Sequence, residues 1–582
     1  MRACRASHSL RFLSIAALCA AAACNSDKSS PTAPNGAKSC GSGGTVQLAA
    51  LSAATVACSA GTTVTLTGGG ASYLVVPQYA TGFAVNRPTS YTLGVVTGGA
   101  SSNLVPATGP MLDLVGGQTL AIPKAIALRS RQGAFDALLT SVARRNVESG
   151  AWRATARNLA PAAAPMRQAV PAVGTVARFH VLSSESPEQF TAVGARLSYA
   201  GTNVLIYIDT LAPANGFTSA QLNAFGQLFD QTLYPIDVNA FGTPSDIDQN
   251  GHLIVLLAPI VNALTPSADC RTKGFIGGFF DGIDLASTDT SSNRGEIFYS
   301  LVPDPNGTVS CAHTVNDLLA ETPSTFLHEL QHLINFSQHV VLHGGSPELG
   351  WLDEGMSIVA EELGSKYYED KYPPPTGRTN PAQLFPDSSQ GFINGLLFQS
   401  YSYLLKTDTA TVTLHSDADG GLAWRGGDWL LLRWLGDHES AEFYKRLEDN
   451  TLTGTANIAS AAGESFDTLF GDFSLALYTD SIPGIPKSSI PVRDRFAYRN
   501  LRQMYNRLFQ TSNGDPSVPR AFPIVVTPLT GSIAASMVPG TMSFYQLTTG
   551  TGQSTVTIDF GSTPGVPLTA ALHPQVSVFR LQ

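Results

Sequence analysis

Residues 326–336 read Phe-Leu-His-Glu-Leu-Gln-His-Leu-Ile-Asn-Phe, an H-E-x-x-H motif inside an apolar stretch. The apolar residues fall on several sides of a helical wheel, which predicts a helix that is buried over most of its surface. Thr322 and Pro323 predict the start of this helix, because threonine caps helix N-termini and proline suits a first turn. His328 and His332 then lie one turn apart on one face, where two imidazoles can share a metal ion.

Glu329 is the candidate for proton transfer within this motif. Its carboxylate would face the open side of a zinc ion, where it can take a proton from a bound water and pass it to a leaving amine. That chemistry is peptide-bond hydrolysis. The five-residue motif also occurs by chance in long chains, so it needs support from other residues.

A third protein ligand is required, because zinc in a peptidase normally has three protein ligands and one water. The longer pattern H-E-x-x-H-x-x-G-x-x-H is absent, since Asn335 and Gln338 stand where it needs Gly and His. His339 lies two helical turns beyond His332, so it could join the site only if the helix broke.

Glu354 is the better candidate for the third ligand. It lies in residues 351–357, Trp-Leu-Asp-Glu-Gly-Met-Ser, within a second predicted helix that starts near Pro347 and stops at Gly364. The alternative is an exposed carboxylate on a surface helix, which fits less well because the neighbouring residues are mostly apolar.

Together, the two strings resemble the signature of gluzincins, the thermolysin-like clan of zinc peptidases, and are most similar to the hyicolysin family. Residues 295–299 and 427–478 are also similar to that family, so the resemblance extends from about residue 173 to about residue 480. It implies a zincin fold, with a sheet-bearing half before the zinc helix, a helical half after it and the substrate between them.

The same resemblance implies roles for individual residues. The implied zinc ligands and general base/acid are His328, His332, Glu354 and Glu329. Asp353 stands where gluzincins often have an Asn that supports a ligand His, and a carboxylate can serve the same purpose. Ile358 occupies the place of a supporting Asp in thermolysin, so Glu361 is a possible substitute. The favoured interpretation of Glu361 is an exposed helix charge.

A peptidase also needs a strand that aligns the substrate and a donor that stabilises the oxyanion, and the sequence offers candidates for both. Residues 296–302 alternate and are rich in Ile, Phe, Tyr and Val, which predicts a strand. That strand is either an edge strand that pairs with an extended peptide or an ordinary internal strand. For the oxyanion donor the candidates are Tyr299, Tyr401, Tyr403 and His415.

Asp246, Asp248 and Asn250 form a D-x-D-x-N-G sequence that is typical of calcium loops. An EF-hand needs an acid at the twelfth loop position, where this chain has Leu257. We therefore favour a tight turn before a strand at 253–257, with Ca²⁺ as the alternative.

The first residues indicate export. Three arginines precede an apolar run at 12–23, which predicts a secretory signal. Ala21-Ala22-Ala23-Cys24 resembles a bacterial lipobox, which implies lipid on the thiol of Cys24. We expect a protein that is anchored to the cell envelope, at the outer membrane or the surface, or is secreted, and that meets the membrane only through this lipid.

Four cysteines remain for the exported part, and four cysteines allow three pairings. An oxidising compartment favours disulfides over a metal site. Proximity in the sequence favours the pairs Cys40–Cys58 and Cys270–Cys311.

A chain of 582 residues is predicted to hold several domains and an α+β fold. We expect a signal peptide at 1–23, a tether at 24–44, an N-terminal β-rich domain at 45–128, a helical and Ala/Pro-rich connector at 129–172, a zinc metallopeptidase domain at 173–515 and a C-terminal β-rich module at 516–582. The connector contains a predicted helix at 133–159 that could instead brace the cleft as a propeptide does. We favour the connector.

The net charge of −9, without basic clusters, argues against nucleic acid as a partner. The sequence therefore predicts a zinc peptidase that acts on extracytoplasmic proteins or peptides. The main rival is a surface adhesion or binding protein on a zincin scaffold, motivated by the two flanking β-rich segments. A zinc hydrolase that acts on non-peptide bonds is the third hypothesis.

Overall fold

The strands and helices are known for residues 38–41, 44–82, 87–96, 130–152, 169–186, 188–285, 289–373, 384–414 and 423–582 of a computed structural model. The strands are, in chain order, β1 (Lys38–Ser39), β2 (Thr45–Gln47), β3 (Ala53–Ala57), β4 (Thr63–Thr67), β5 (Ser72–Tyr79), β6 (Thr89–Val96), β7 (Val176–Glu185), β8 (Glu188–Ala200), β9 (Val204–Asp209), β10 (Leu253–Leu257), β11 (Gly278–Phe280), β12 (Ile297–Ser300), β13 (Thr527–Pro528), β14 (Ile533–Met537), β15 (Tyr545–Thr548), β16 (Thr555–Gly561) and β17 (Pro574–Arg580).

The α-helices occupy mainly the second half of the chain. They are α1 (Ser130–Glu148), α2 (Ser219–Leu228), α3 (Tyr234–Phe241), α4 (Pro259–Ala263), α5 (Val315–Phe336), α6 (Gly350–Lys371), α7 (Gln390–Leu404), α8 (Ala423–His438), α9 (Phe443–Glu448), α10 (Gly454–Ala462), α11 (Phe466–Thr479) and α12 (Leu501–Thr511). Among the described residues, no helix combines the length and hydropathy that crossing a bilayer requires. The predicted signal at 1–23 and Cys24 lie outside the described residues.

A mixed six-stranded sheet lies on the N-terminal side of the H-E-x-x-H helix, in the order β11-β12-β10-β9-β8-β7. Its central strands β9, β10 and β12 are parallel and consist of nearly continuous apolar runs, as strands covered on both faces require. The remaining strands pair antiparallel at the two sides. Helices and mixed sheets together make the fold α+β.

β11 is one of the two edge strands of this sheet, and the strand predicted at 296–302 is internal. β12 lies between β10 and β11, so its backbone already pairs on both sides. The possible role of residues 296–302 as the strand that receives an extended peptide is therefore wrong. β11 takes the edge position, antiparallel to β12, and packs against α5.

The two flanking β-rich segments share their sheets. One sheet has the order β1-β3-β17-β5-β15-β13 and the other β14-β6-β16-β4-β2, so strands from both ends of the chain alternate. Their side chains form one apolar cluster that includes Val56, Tyr91, Ile558 and Val578. Residues 45–128 and 516–582 were predicted as separate modules, but their described strands build one β-structure. Pairing between strands this distant in sequence leaves no local pattern.

Candidate active site

The H-E-x-x-H helix is α5, and it begins earlier than the sequence indicated. Thr314 is its N-cap: the Thr314 hydroxyl accepts from Asp317 N–H, and the Asp317 carboxylate accepts from Thr314 N–H. Thr322 and Pro323, predicted as cap and first turn, lie inside the helix. This reciprocal capping and the burial of the following residues outweigh the hydrogen bond that the proline cannot make.

Glu354 lies in α6 and faces the two histidines of α5. Its carboxylate oxygens lie 3.4 Å from His328 Nε2 and 3.9 Å from His332 Nε2. The two Nε2 atoms lie 3.2 Å apart. One donor atom from each residue therefore falls within 4.8 Å of the others.

α6 continues past the glycine predicted to end it, to Lys371. Gly364 is interior, and a Cβ there would lie 2.6 Å from Leu327 of α5 and 2.7 Å from Phe392 of α7. Glycine at this position thus serves the close approach of three helices and is not a stop signal.

Carboxylates engage the other imidazole nitrogens. His328 Nδ1 lies 2.9 Å from Glu361 Oε1, and His332 Nδ1 lies 3.0 Å from Asp353 Oδ2. The Ser357 hydroxyl lies 3.1 Å from His332 Nδ1. Both imidazoles are thereby held with Nε2 toward Glu354. Glu361 was interpreted as an exposed charge, which is wrong: it is buried and also accepts from the Ser324 hydroxyl.

Glu329 is buried at the edge of the mixed sheet. The Phe280 backbone N–H, in β11, donates to Glu329 Oε2 at 2.9 Å. Glu329 Oε1 is buried and accepts no hydrogen bond from the described residues. Burial raises the pKa of Glu329 to about 8, although the neighbouring histidines His328 and His332 lower it.

Arg425 is a site residue that the sequence analysis missed. It is buried in α8, and its Nη2 atom lies 2.8 Å from Glu354 Oε2 and 2.9 Å from Asp136 Oδ2 of α1. The available signal was an arginine within a mostly apolar helix, because a buried arginine needs carboxylate partners. Which carboxylates it meets depends on three helices that are remote from one another in sequence.

The residues fit a zinc ion. Two imidazole nitrogens and a carboxylate are the ligands of catalytic zinc, and tetrahedral bonds of 2.0–2.1 Å place two nitrogens about 3.3 Å apart. Glu354 Oε1 is buried and accepts no hydrogen bond from the described residues, while Oε2 is paired with Arg425. Burial alone lowers the pKa of His332, but the carboxylates of Asp353 and Glu354 outweigh it and raise that pKa to about 9. The cluster therefore attracts positive charge.

The suggested oxyanion donors do not converge on this site. The Tyr299 hydroxyl donates to Asp284, and the Tyr401 hydroxyl donates to the Arg520 carbonyl. Tyr403 is buried at the packing of α7 against α8, where a Cβ on Gly427 would lie 2.7 Å from its ring. None of the three lines the cavity beside Glu329, and His415 lies outside the described residues.

The D-x-D-x-N-G segment forms a turn before β10. Asp248 accepts from the Asn250 backbone and side chain, and Asp246 accepts from Gly251 N–H. Gly251 has a φ of 72°. Asp246 and Asp248 each place an oxygen within 4.8 Å of one from Glu296, a residue absent from the predicted set. The hydrogen bonds within the loop account for the motif as a turn, and Ca²⁺ is not proposed.

Both expected disulfides, Cys40–Cys58 and Cys270–Cys311, are formed. The second closes a loop that carries β11 and β12 and ends just before α5. It therefore limits the freedom of the segment that presents the edge strand to Glu329.

The chain is similar to the neutral metalloprotease ShpI of Staphylococcus hyicus, with 29% identity over 171 residues. This similarity covers 29% of the present chain and 36% of ShpI, so the chain spans little more than a third of that relative's length. No protein-family model matches the sequence. The similarity is distant and partial, and it supports a relationship to metallopeptidases.

Proposed function

We propose that the protein is a zinc-dependent peptidase of gluzincin type, with His328, His332 and Glu354 as zinc ligands. The convergence of these three side chains beside a buried glutamate on one sheet edge carries the proposal. When bound, zinc supplies a Lewis acid and an acidified water. The remaining chemistry falls to residues of this chain.

Glu329 is the proton carrier in this proposal. Its Oε2 is oriented by Phe280 N–H, while Oε1 is left for the proton of the attacking water. The same oxygen then returns the proton to the departing amine, so one carboxyl serves both halves of hydrolysis. Because the edge strand fixes the carboxyl, the proton acceptor and a peptide bound to that strand keep a constant position relative to each other.

β11 is the proposed binding strand for the substrate. An extended peptide that pairs with its outer edge, on the side away from β12, would run past Glu329, because the Phe280 backbone contacts that side chain. The substrate class is accordingly an extended segment of a protein or peptide. Arg425, beside Glu354, would place a positive charge near a substrate carbonyl or carboxylate.

The proposal also covers location: an exported protein that carries lipid on Cys24 or is released. Disulfides at Cys40–Cys58 and Cys270–Cys311 support an oxidising compartment. The rival hypothesis of an adhesion protein was motivated by two separate β-modules. The strands of the two segments share sheets, so this motivation no longer holds.

The test is hydrolysis of quenched-fluorescent casein by the full chain, which detects slow turnover, beside Glu329→Gln with zinc content measured in both. We expect the substitution to lower the rate by at least about 100-fold at equal zinc content. Equal rates from both proteins would contradict the mechanism. Casein binding that survives zinc removal, without cleavage, would favour the adhesion hypothesis.

A further inference from the structure

Helix α1 bridges the two halves that flank the candidate site. On the sheet side, Arg131 pairs with Glu185, and the Phe135 ring packs on Phe279 of β11 at 5.2 Å between centroids. On the helical side, Asp136 pairs with Arg425. Arg144 also donates to the Pro347 carbonyl at 2.7 Å, so both ends of α1 are fixed across the cleft.

Gln132 of α1 binds the backbone at the start of the edge strand β11 through both ends of its side-chain amide. Its Oε1 accepts from Gly277 N–H at 2.8 Å, and its Nε2 donates to the Gly278 carbonyl at 3.0 Å. A side-chain amide has the same donor and acceptor as a main-chain amide. Phe280, two residues further along, is the residue that contacts Glu329.

Asp136, one turn along α1, is linked to the candidate ligand Glu354 through Arg425. A single nitrogen of Arg425 lies between Asp136 Oδ2 and Glu354 Oε2. The cavity beside the site is lined on one side by α1 and on the other by the H-E-x-x-H helix, with Asp136, Leu139, Thr140 and Ala143 opposite Glu329 and His332. α1 thus lies where a peptide on β11 would have to pass.

We propose that α1 is a built-in blocker, in which Gln132 takes the place of a substrate amide and Asp136 stands at the open side of the metal ligands. This proposal rests on the proposed function, because it concerns access to the same site. The ligand that α1 displaces is an extended peptide. In this proposal α1 has a role beyond that of the simple connector expected at 129–172.

The topology determines how such a blocker can be relieved. α1 lies between β6 and β7, and β1 to β6 pair with strands from the other end of the chain. Removal of all residues before β7 would delete β1 to β6 and so take paired strands out of both β-rich sheets. Relief therefore requires α1 to leave the cleft while β1 to β6 stay in their sheets. The proposed blocker therefore differs from an N-terminal leader, which is removed together with everything that precedes it.

The test weakens α1 in the full, zinc-loaded chain in two ways. The double variant Gln132→Ala/Asp136→Ala removes the substrate-like contacts. Phe135→Ala removes only a docking contact and leaves every charged group of the site in place. Arg145→Ala, on the exposed side of the same helix, is the control. Two rates are measured: zinc removal by 1,10-phenanthroline and hydrolysis of quenched-fluorescent casein.

We expect both blocker variants to lose zinc and to cleave casein at least tenfold faster than the wild type, with Arg145→Ala unchanged. Unchanged rates in both variants would overturn the blocker, as would faster zinc loss with equal, measurable cleavage in all proteins. Faster zinc loss without cleavage by any protein would show that α1 covers the metal site while the peptidase proposal fails. If circular dichroism shows that one of the two blocker variants is unfolded, the rates of the other variant decide the test.

Discussion

Glu361 Oε1 lies 2.9 Å from His328 Nδ1, and this contact determines which nitrogen of the imidazole is left for a metal. Glu361 stands seven residues beyond Glu354 on α6, so one helix supplies both the third candidate ligand and the support for the first. Seven residues are two helical turns, which keeps both side chains on the face toward α5. The position of His328 therefore depends on the packing of α5 against α6.

Removing this support is expected to weaken zinc binding. Glu361→Ala should raise the zinc Kd about 10- to 100-fold, because the imidazole loses the partner that orients it. Glu361→Gln keeps a hydrogen-bonding group, so its zinc Kd should lie between those of the wild type and Glu361→Ala. Competition with a chromophoric chelator measures the Kd. Asp370→Ala, exposed on the same helix, is the control, and equal affinity in Glu361→Ala and wild type would contradict the assigned role.

Gly426 is expected to be essential for the position of Arg425. A Cβ at Gly426 would lie 2.3 Å from the backbone of Gln399 and Ser400 in α7, so α7 and α8 must separate to admit it. Gly426→Ala should lower the free energy of unfolding by about 3 kcal/mol, since overpacking outweighs the gain of about 1 kcal/mol in helix propensity.

Urea unfolding monitored by tryptophan fluorescence measures this loss. Gly531→Ala is the matched control, because a Cβ there meets nothing within 4 Å, and we expect a change within about 0.5 kcal/mol. A Gly426→Ala variant as stable as this control would show that the two helices can shift without cost.

Truncation before residue 173 is expected to damage the C-terminal strands. It removes β1 to β6, so β14 to β17 each lose a paired neighbour and expose unpaired backbone. The shortened chain should aggregate or unfold at a lower temperature, as light scattering and circular dichroism would show. Deletion of residues 1–37, which removes no described residue, should leave the unfolding midpoint unchanged. A soluble 173–582 chain with a wild-type unfolding midpoint would show that the C-terminal strands do not depend on β1 to β6.

The pH dependence of stability is expected to contain a contribution from Asp284. Burial, reinforced by Asp281, raises the pKa of Asp284 to about 8 from an ordinary 3.8. Between these values the folded carboxyl stays protonated while the unfolded one is ionised, so the free energy of unfolding falls as pH rises from about 4 to about 8.

Asp284→Asn cannot ionise and retains an oxygen for Asn293. Its stability relative to the wild type should therefore increase by roughly 2–4 kcal/mol between pH 5 and pH 8. Urea unfolding of both proteins at the two pH values measures this difference. Parallel pH dependence in the two proteins would show that Asp284 is ionised in the folded state.

Local sequence patterns gave much of the site and little of the architecture around it. The spacing of His328 and His332 places them on one face of any helix, and the apolar context of Glu354 indicated a buried carboxylate. Helix bounds were less well predicted at Thr322 and Gly364, because capping at Thr314 and helix packing outweighed the local signals.

The sequence by itself determined which residues are available for the proposed chemistry: two imidazoles and a glutamate at helical spacing, a second helix with a further carboxylate, and cysteines suited to disulfides. These features depend on neighbours along the chain, so periodicity and residue type suffice. Only the tertiary structure decided that β11 is the edge strand, that Arg425 joins Asp136 to Glu354, and that strands from both termini share sheets. Such contacts join residues far apart in sequence, and their free energy comes from burial and pairing that exist only once the chain has folded.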